Sequence, residues 1–321
     1  MDTTNDMNPS TADRAPGRAV AAIGELLVDI VHTPDGNTAE HVGGSPANVA
    51  LGLSRLGHET WFATLVGTDD RGIRCAEHVE SGGVHLLPGS ISASHPTSTA
   101  AATIDESGAA SYVFDLHWDL APVDLPADAG HLHIGSIGTT LRPGDEEVTA
   151  AVHAIRATGT VSYDPNVRPS IMGSPDEVRP RIEELVALSD VVKCSEDDVA
   201  WLYPGQSPAE VMAHWAGLGS KLTLVTLGGD GVTWRAGTGD VDHLPALADD
   251  VVDTVGAGDS FMAGLVSGLL DAGLLGDTAA RERLQHAGLP DVRPAIDRAL
   301  ATSGITVTHA GAYAPTREEL A

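Results

Sequence analysis

A carboxylate that follows a run of small residues is the first feature of this sequence with evident chemical potential. In the stretch DTVGAGDSFMAG, residues 253–264, the turn Gly256-Ala257-Gly258 leads into Asp259 and an apolar helical run. Small residues leave backbone N–H groups free to face a ligand, and a helix N-terminus carries roughly half a positive charge. The stretch therefore predicts an anion site with a carboxylate beside it.

Phosphoryl transfer to an alcohol is a reaction that uses this combination. A base near the hydroxyl accepts its proton, while positive dipoles surround the charge that develops on the phosphate. Asp259 is the candidate base, and the N–H groups of Gly256, Ala257 and Gly258 are the candidate dipoles. The alternative is that Asp259 only caps a helix, because Asp is a common N-cap residue.

A second glycine-rich turn precedes another amphipathic helix. The run GGSPANVALGLSRLG begins with the pair Gly43 and Gly44 and contains Asn48, and its apolar residues recur at a helical period. In their order and separation, this run and residues 253–266 resemble the two signatures of the PfkB family of carbohydrate kinases. The positions that match the first signature are Gly43, Gly44, Asn48, Ala50, Gly57 and Gly67.

Alternating strands and helices over residues 19–321 predict one three-layer α/β/α domain with a mostly parallel central sheet. The resemblance implies the ribokinase-like fold and adds a small β-sheet lid, for which segments 33–42 and 97–117 are the candidates. Within the second segment, Glu106-Ser107-Gly108 predicts a turn between two strands. A hairpin that belongs to the main sheet is the alternative.

The first predicted strand carries a conspicuous carboxylate. Residues 19–31 are nearly all apolar, as in a strand buried on both faces, and Asp29 lies near its carboxyl end. Ligands of open α/β sheets bind at that end. The segment GELLVDIV resembles the first strand of sugar kinases, which implies that Asp29 holds the sugar; a strand-ending Asp in a turn is the alternative.

A second candidate for the sugar site is the segment DPNVRPSIM, which follows the predicted strand 160–163. Its D-x-N-x-R pattern resembles the fructokinase and 2-keto-3-deoxygluconate kinase branches, which implies that Asn166 and Arg168 contact the sugar or lie beside it. For Arg168, a surface ion pair is the simpler interpretation.

Two further segments resemble the nucleotide and metal elements of the family. KCSEDDVAWLYPG resembles the K-x-[NS]-x-x-E element that orients Mg²⁺, with Asp198 in the place of the family's Glu and Glu196 as a fallback. TLGGDGVTW resembles the T-x-G-x-x-G segment at the nucleotide, although GGDG alone would suggest a hairpin turn. The residues implied to contact ATP are Lys193, Ser195, Thr226, Gly228 and Gly231.

Other features limit the remaining classes of function. His131 and His133 lie on one face of a strand, but a metal site would need further ligands, so we interpret them as ordinary strand residues. Cys75 and Cys194 have no metal-ligand spacing, which favours a reducing cytosol over a disulfide scaffold. The tail 1–18 lacks the pattern of a secretory signal and is predicted to be disordered. We therefore expect a cytoplasmic protein.

The net charge is −27, from 45 acidic and 18 basic side chains, and only Lys193 and Lys221 are lysine. Such a field repels nucleic acid and anionic membranes, so neither is expected as a partner. A local cradle of N–H dipoles with Mg²⁺ still permits ATP, because charges beyond about 8–10 Å are screened. Adaptation to a salty habitat is one interpretation of this surface.

The resemblance as a whole implies ATP-dependent phosphorylation of a sugar primary hydroxyl, with fructose as the expected sugar. The alternatives are 2-keto-3-deoxygluconate kinase, ribokinase, nucleoside kinase and a non-catalytic sugar sensor on the same fold. A dinucleotide oxidoreductase is disfavoured because G-x-G-x-x-G does not follow the first strand. A potassium ion near Asp253 and a homodimer formed through the lid are left open.

Overall fold

The computed structural model describes residues 19–104, 110–237, 239–248 and 250–320. The predicted disordered tail and the predicted turn Glu106-Ser107-Gly108 lie outside these residues. The strands are, in chain order, β1 Ala19–Ile23, β2 Leu27–His32, β3 Thr38–Gly43, β4 Thr60–Ala63, β5 Val84–Leu86, β6 Thr99–Ile104, β7 Ala110–Asp115, β8 Ala129–Gly135, β9 Thr160–Asp164, β10 Val191–Ser195, β11 Leu222–Thr226, β12 Val232–Ala236 and β13 Val241–Leu244.

The helices lie between these strands and after them. They are α1 Ser45–Arg55, α2 Asp70–Ser81, α3 Gly144–Arg156, α4 Pro169–Met172, α5 Pro175–Leu188, α6 Glu196–Leu202, α7 Pro208–Leu218, α8 Ala257–Asp271, α9 Thr278–His286 and α10 Leu289–Thr306. Short 3₁₀ turns occur at Ile137–Thr139, Gly228–Asp230 and Glu318–Leu320. In the described part of the chain, no helix is both long and apolar enough to cross a membrane.

The main sheet has the strand order β13-β12-β11-β10-β9-β8-β1-β4-β5. Neighbours from β5 to β11 run parallel, while β12 and β13 form an antiparallel edge. The carboxyl ends of the parallel strands therefore meet along one edge of the sheet, which is where open α/β folds bind ligands.

Helices cover both faces of this sheet. On one face, α3, α5, α6 and α7 pack through apolar side chains such as Val152, Ile182 and Trp215. On the other face, α1, α8 and α10 pack through side chains that include Leu53, Leu265 and Ile296. The predicted three layers around a mostly parallel sheet are confirmed.

A separate four-stranded sheet has the order β3-β2-β6-β7. Its inner face packs on α1 and α2 through Val28 and Ile30, which join a third apolar cluster with Ala50, Cys75 and Val79. Residues 99–104 and 110–115 thus belong to the small sheet, and the alternative that they extend the main sheet is wrong.

The prediction of a single strand over residues 19–31 is also wrong. The chain leaves the main sheet after Ile23 and re-forms as β2 in the small sheet from Leu27. At the break, Gly24 lies against the ring of Pro46; a Cβ on Gly24 would be 2.2 Å from Pro46 Cγ, so this position requires glycine. Asp29 is therefore in a strand of the small sheet and not at the end of a main-sheet strand.

Helix α2 fastens the small sheet to the body of the protein. Arg71 and Arg74 both pair with the carboxylate of Glu40 on β3. The N-cap residue Asp69 accepts hydrogen bonds from the backbone N–H and the hydroxyl of Thr97, just before β6, at 2.9 and 2.6 Å. Two segments of the small sheet are thus tied to the same helix end.

Candidate active site

The turn before α8 requires a glycine. Gly256 has φ 76°, in the left-handed region, and it is the N-cap residue of α8. A Cβ on Gly256 would lie 2.6 Å from the Cβ of Ala312, so the C-terminal segment also fills the space beside it. The N–H groups of the first turn of α8 are consequently free of bulky side chains, as an anion site requires.

The carboxylate of Asp259 joins the two glycine-rich stretches. Its Oδ1 accepts a hydrogen bond from Ser45 Oγ at 2.6 Å, and its Oδ2 accepts one from Asn48 Nδ2 at 2.8 Å. Burial raises the pKa of Asp259, while these two donors and the cations Lys193 and Arg168 oppose the rise. Both carboxylate oxygens thus accept hydrogen bonds from side chains of α1. The alternative that Asp259 only caps α8 is not supported, because no side chain among the described residues caps this helix.

A buried ion pair lies directly beneath this turn. Lys193 Nζ donates to Asp164 Oδ2 at 2.8 Å, and both side chains are almost fully buried. A Cβ on Gly258 would be 3.0 Å from Lys193 Nζ, which places the ammonium against the first turn of α8. Burial alone would lower the pKa of Lys193, but Asp164, Asp198 and Asp259 together raise it. Lys193 is accordingly a fixed positive charge at the predicted anion site.

Only one of the two carboxylate oxygens of Asp164 has a hydrogen-bond partner. Burial raises its pKa to about 6, with Lys193 acting in the opposite direction. Its Oδ1 is buried and has no hydrogen-bond partner in the structure. A buried acceptor that lacks a donor is costly, so this atom is a candidate to meet a donor or cation when a ligand binds.

Asp29 and the Gly43-Gly44 pair lie together at the other end of the site. A Cβ on Gly43 would be 2.1 Å from Asp29 Oδ2, so only glycine leaves room for this carboxylate. His41 is the cross-strand neighbour of Asp29 on β3. Burial raises the pKa of Asp29, while Arg168 and His41 lower it. The carboxylate is therefore half-buried, with the guanidinium of Arg168 and the imidazole of His41 favouring its ionised form.

The D-x-N-x-R segment carries an arginine whose charge acts on both carboxylates. Asn166 has φ 38°, an unusual value for a residue other than glycine, and its Oδ1 accepts from Arg168 Nη1 at 2.6 Å. The positive charge of the guanidinium lowers the pKa of both Asp29 and Asp259, against the effect of their burial. Arg168 is exposed and bonds Asn166 and backbone carbonyls, in contrast to the simple surface ion pair that was the alternative.

The residues predicted to contact the nucleotide lie on adjacent strands. Ser195 and Thr226 are paired across β10 and β11 at the carboxyl ends of these strands. Gly228 and Gly231, with φ 56° and 96°, form the turn between β11 and the antiparallel β12. GGDG is thus the hairpin turn that its sequence suggests, and it lies at the same edge of the sheet as Lys193.

The predicted metal residues begin α6. Asp198 Oδ1 accepts from Val167 N at 2.9 Å and Oδ2 from Ser195 N at 2.7 Å, while Glu196 is exposed. Asp198 therefore closes a capping box and keeps lone pairs for further contacts. In the described part of the chain, no cluster of three or more His, Cys, Asp or Glu residues could hold a metal. A metal here would retain waters, as Mg²⁺ commonly does.

Two further observations concern the segments around α8. Leu300 on α10 is buried in the apolar core between α8 and α10. Asp253 accepts from Val255 N at 3.0 Å and from Gly311 N at 2.8 Å. These bonds lower the pKa of Asp253, and they tie the segment before α8 to the C-terminal segment.

Sequence reasoning missed several residues of this site. Ser45 lies within the recognised GGSPAN run, but nothing in the sequence indicates that its hydroxyl reaches Asp259. The pairing of Asp164 with Lys193 follows from the adjacency of β9 and β10, which the sequence does not specify. His131 and His133 are buried and bond to Thr160 and Ser162, consistent with their interpretation as strand residues.

Residues 18–319 match the model of the pfkB family carbohydrate kinases. The chain is a member of the PfkB family. The fructokinase of Klebsiella pneumoniae is 35% identical over 271 residues, which cover 80% of this chain and 86% of the relative. The protein is accordingly an ATP-dependent sugar kinase.

Solved structures agree with this assignment. A fructokinase of Xylella fastidiosa with bound ATP superposes with a TM-score of 0.83 at 24% identity and covers 95% of this chain and 97% of its own; at that identity the likeness shows the fold alone. The aminoimidazole riboside kinase of Salmonella enterica, complexed with aminoimidazole riboside and an ATP analog, gives 0.75 at 27% identity, with coverage of 94% and 98%. The ribokinase-like fold of this kinase is confirmed.

Proposed function

We propose that this kinase transfers the γ-phosphoryl group of ATP to a primary hydroxyl of fructose. The observation that carries the proposal is the position of Asp259, which begins α8 and is hydrogen-bonded to Ser45 and Asn48 on the sugar side. The likeness to the fructokinase of Klebsiella pneumoniae favours fructose. The site also offers one exposed arginine, Arg168, beside several carboxylates, which suits a neutral sugar.

Asp259 acts as the general base in this proposal. Its carboxylate takes the proton of the hydroxyl while the hydroxyl oxygen bonds to the γ-phosphorus. The bond from that phosphorus to the β–γ bridging oxygen breaks, and ADP leaves with the electron pair. The N–H groups of Gly256, Ala257 and Gly258 stabilise the charge on the transferring group, as donors in an anion hole do.

Lys193 adds a full positive charge to these dipoles. Its ammonium lies beneath Gly258 and is fixed by Asp164, so it needs no rearrangement when the phosphate charge develops. A preorganised charge in a buried site stabilises a transition state more strongly than a mobile one in water. Ser195, Thr226, Gly228 and Gly231 lie along the same edge and would contact the nucleotide.

We also propose that the kinase uses Mg²⁺ and K⁺. Asp198 and Glu196 would hold Mg²⁺ through water, and the unpartnered Oδ1 of Asp164 is an additional acceptor nearby. When bound, the metal neutralises charge on the phosphates. Carbonyl oxygens beside Asp253 would receive K⁺. Dependence of the rate on each ion, measured after chelation and readdition, tests both assignments.

The sugar would lie between Asp29, Gly43, Gly44, Asn48, Asn166 and Arg168. In this proposal the small sheet is a lid that excludes water, which otherwise competes as phosphoryl acceptor. Its edge strand β7 exposes 59% of Tyr112 and 70% of Val113, and an exposed strand edge of this kind would pair in a homodimer. The mass in solution of wild type and of Val113→Lys tests the dimer.

A panel of sugars in a coupled assay for ADP release tests the proposed function. Fructose should give the highest kcat/KM, above ribose, 2-keto-3-deoxygluconate and aminoimidazole riboside. A preference for aminoimidazole riboside would be explained by the likeness to the Salmonella enterica kinase and would replace fructose. Sugar binding without ATP turnover would favour a sensor, and Asp259→Asn with a near-normal rate would remove the mechanism.

A further inference from the structure

Glu25 is a buried carboxylate that the proposed mechanism does not use. It lies in the connection Gly24–Leu26, where the chain passes from β1 in the main sheet to β2 in the small sheet. Only 7% of the residue is exposed. A buried carboxylate needs hydrogen-bond donors, and the identity of those donors indicates what it holds together.

The donors to Glu25 come from the turn that follows β8. Gly138 N donates to Glu25 Oε2 at 3.2 Å. The side chain of Ser136, in the same turn, lowers the pKa of this carboxyl. Ser136 has φ 56°, a conformation that costs energy for a residue with a side chain. A Cβ on Gly138 would be 3.1 Å from Gly24 Cα, so the two turns are in direct contact.

The backbone of Glu25 contacts a third turn, the one that begins α1. Gly44 has φ 123°, and a Cβ there would lie 2.3 Å from the carbonyl oxygen of Glu25. Pro46 packs on Gly24 from the same side. The next residues in this turn and helix include Ser45 and Asn48, which bond to Asp259.

Three segments therefore meet at Glu25, and two of them contribute residues to the proposed sugar site. They are β2 with Asp29, the start of α1 with Gly44 and Asn48, and the turn Ser136–Gly138. Because β2 belongs to the small sheet and the other two segments belong to the body, the bonds of Glu25 fix the angle at which the small sheet leaves the main sheet.

We infer that Glu25 is a positioning residue, which sets the sugar-binding end of the site by holding the junction between the two sheets. It acts through Asp29, Gly44 and Asn48 and does not itself contact the reacting atoms. This inference rests on the proposed function, because it concerns the affinity for the sugar of the same site.

The protonation state of Glu25 supplies a distinguishing readout. Burial raises its pKa to about 7, against its hydrogen bonds and the charge of Arg168. Arg168, before α4, is the charged group that acts on it; the turns 136–138 and 43–46 contain no titratable side chain. Because burial outweighs the hydrogen bonds and raises the pKa, the folded junction favours the protonated carboxyl over the carboxylate. The junction should thus be firmest below pH 7 and looser above it.

The test is the KM for the sugar, measured from pH 6 to pH 8 in the full-length protein. For wild type we expect KM to rise as pH rises through about 7. Glu25→Gln is neutral at every pH, so its KM should stay near the wild-type value at pH 6 and the pH step should disappear. In Glu25→Ala, which removes the acceptor for Gly138 N, we expect a KM about ten-fold above that of wild type at pH 6, while the KM for ATP stays within about two-fold.

Asp190→Asn is the matched control. Asp190 is equally buried and bonds to Val161 N and Arg281 Nε, both at 2.9 Å, but it precedes β10 at the opposite edge of the sheet. It should lower stability without changing the KM for the sugar. Ser136→Gly removes a side chain that favours the ionised form of Glu25, so the pH step should move to higher pH in this variant, which keeps the inference testable if Glu25→Ala does not fold.

The experiment distinguishes failure of this inference from failure of the proposed function. A wild type that phosphorylates sugar with a KM independent of pH would remove the role of Glu25 and leave the kinase assignment intact. A pH step that persists in Glu25→Gln, or a KM unaffected by Glu25→Ala, would do the same. A wild type that phosphorylates none of the sugars would remove the proposed function and this inference with it.

Discussion

Asn48 donates a hydrogen bond from Nδ2 to Oδ2 of Asp259 over 2.8 Å, although 211 positions separate the two residues in the sequence. The bond joins the turn expected to hold the sugar to the carboxylate expected to take its proton. A hydroxyl that binds at Asn48 is thereby within reach of Asp259, which is the geometric requirement for a general base.

Asp259→Asn should reduce kcat by at least ~100-fold, the lower range for a lost general base, because an amide cannot take the proton. The KM for the sugar should change little, since Asn can still bond to Ser45 Oγ and Asn48. Steady-state kinetics at saturating ATP measure both quantities. A fall in kcat that is accompanied by a clear fall in Tm would point instead to a folding defect.

Asn48→Ala should move the acid limb of the kcat profile to higher pH. The amide donor favours the ionised form of Asp259, so its removal raises the pKa of this carboxyl further above the ordinary value. The base is active only when ionised, and activity should therefore be lost at a higher pH than in wild type. The shift should be up to ~1 pH unit, given about 1.4 kcal/mol for each unit. An unmoved acid limb would mean that Asp259 is not the titrating base.

Gly258→Ala should weaken catalysis through Lys193. The added methyl would be 3.0 Å from Nζ, and the ammonium cannot move freely because it is buried and paired with Asp164. We expect kcat/KM for ATP to fall by about ten-fold, which corresponds to about 1.4 kcal/mol. Gly217→Ala on α7 is the control, because a Cβ there meets nothing within 4 Å. Similar losses in the two variants would contradict a specific contact at position 258.

Acid should destabilise the protein through its two buried strand histidines. Burial lowers the pKa of His131 and His133 to about 3, below the ordinary 6.5. The unfolded chain binds these protons first, so their contribution to stability is complete above pH 6.5 and is lost as the pH falls toward 3. Each would cost about 2 kcal/mol at pH 5.

The variant His133→Phe tests this effect, because it removes one titrating group and replaces the imidazole with a ring of similar size. Urea unfolding at pH 7.5 and at pH 5 should show a smaller pH-dependent loss for the variant than for wild type. His286→Phe, on the partly exposed α9, is the control and should leave the loss unchanged. Identical losses in wild type and His133→Phe would refute the assignment.

Salt should stabilise this kinase. With 45 acidic against 18 basic side chains, the folded surface repels itself, and added ions screen that repulsion. The Tm should rise between 0.05 and 2 M KCl, tested at equal pH in the absence of nucleotide. No gain over this range would exclude the interpretation of the acidic surface as an adaptation to salt.

The parts of the fold that the sequence predicted are those with long, regular apolar patterns. The three layers follow from the alternation of strand and helix patterns, and the start of α8 follows from its small-residue turn. Both depend on local information, because helix-capping residues and helical periodicity can be recognised within a short stretch of sequence.

The errors arose where two neighbouring segments share one pattern but belong to different sheets. Residues 19–31 read as one apolar strand, and only the contact of Gly24 with Pro46, which is distant in the chain, shows where the strand breaks. The Asp164–Lys193 pair and the bonds of Glu25 were equally hidden, since they depend on strand order and on turns that meet in space.

Neither lysine of this kinase has a freely exposed amine: Lys193 is buried, and Lys221 bonds to a backbone carbonyl. Lys193 is 4% exposed, and Lys221 Nζ donates to the carbonyl oxygen of Gly219 at 2.7 Å. Reagents that acylate primary amines would thus find very few reactive lysine side chains on the native surface. Labelling of Lys193 should require the N-terminal turn of α8 to open, so its acylation rate would report that opening, and bound nucleotide should slow it.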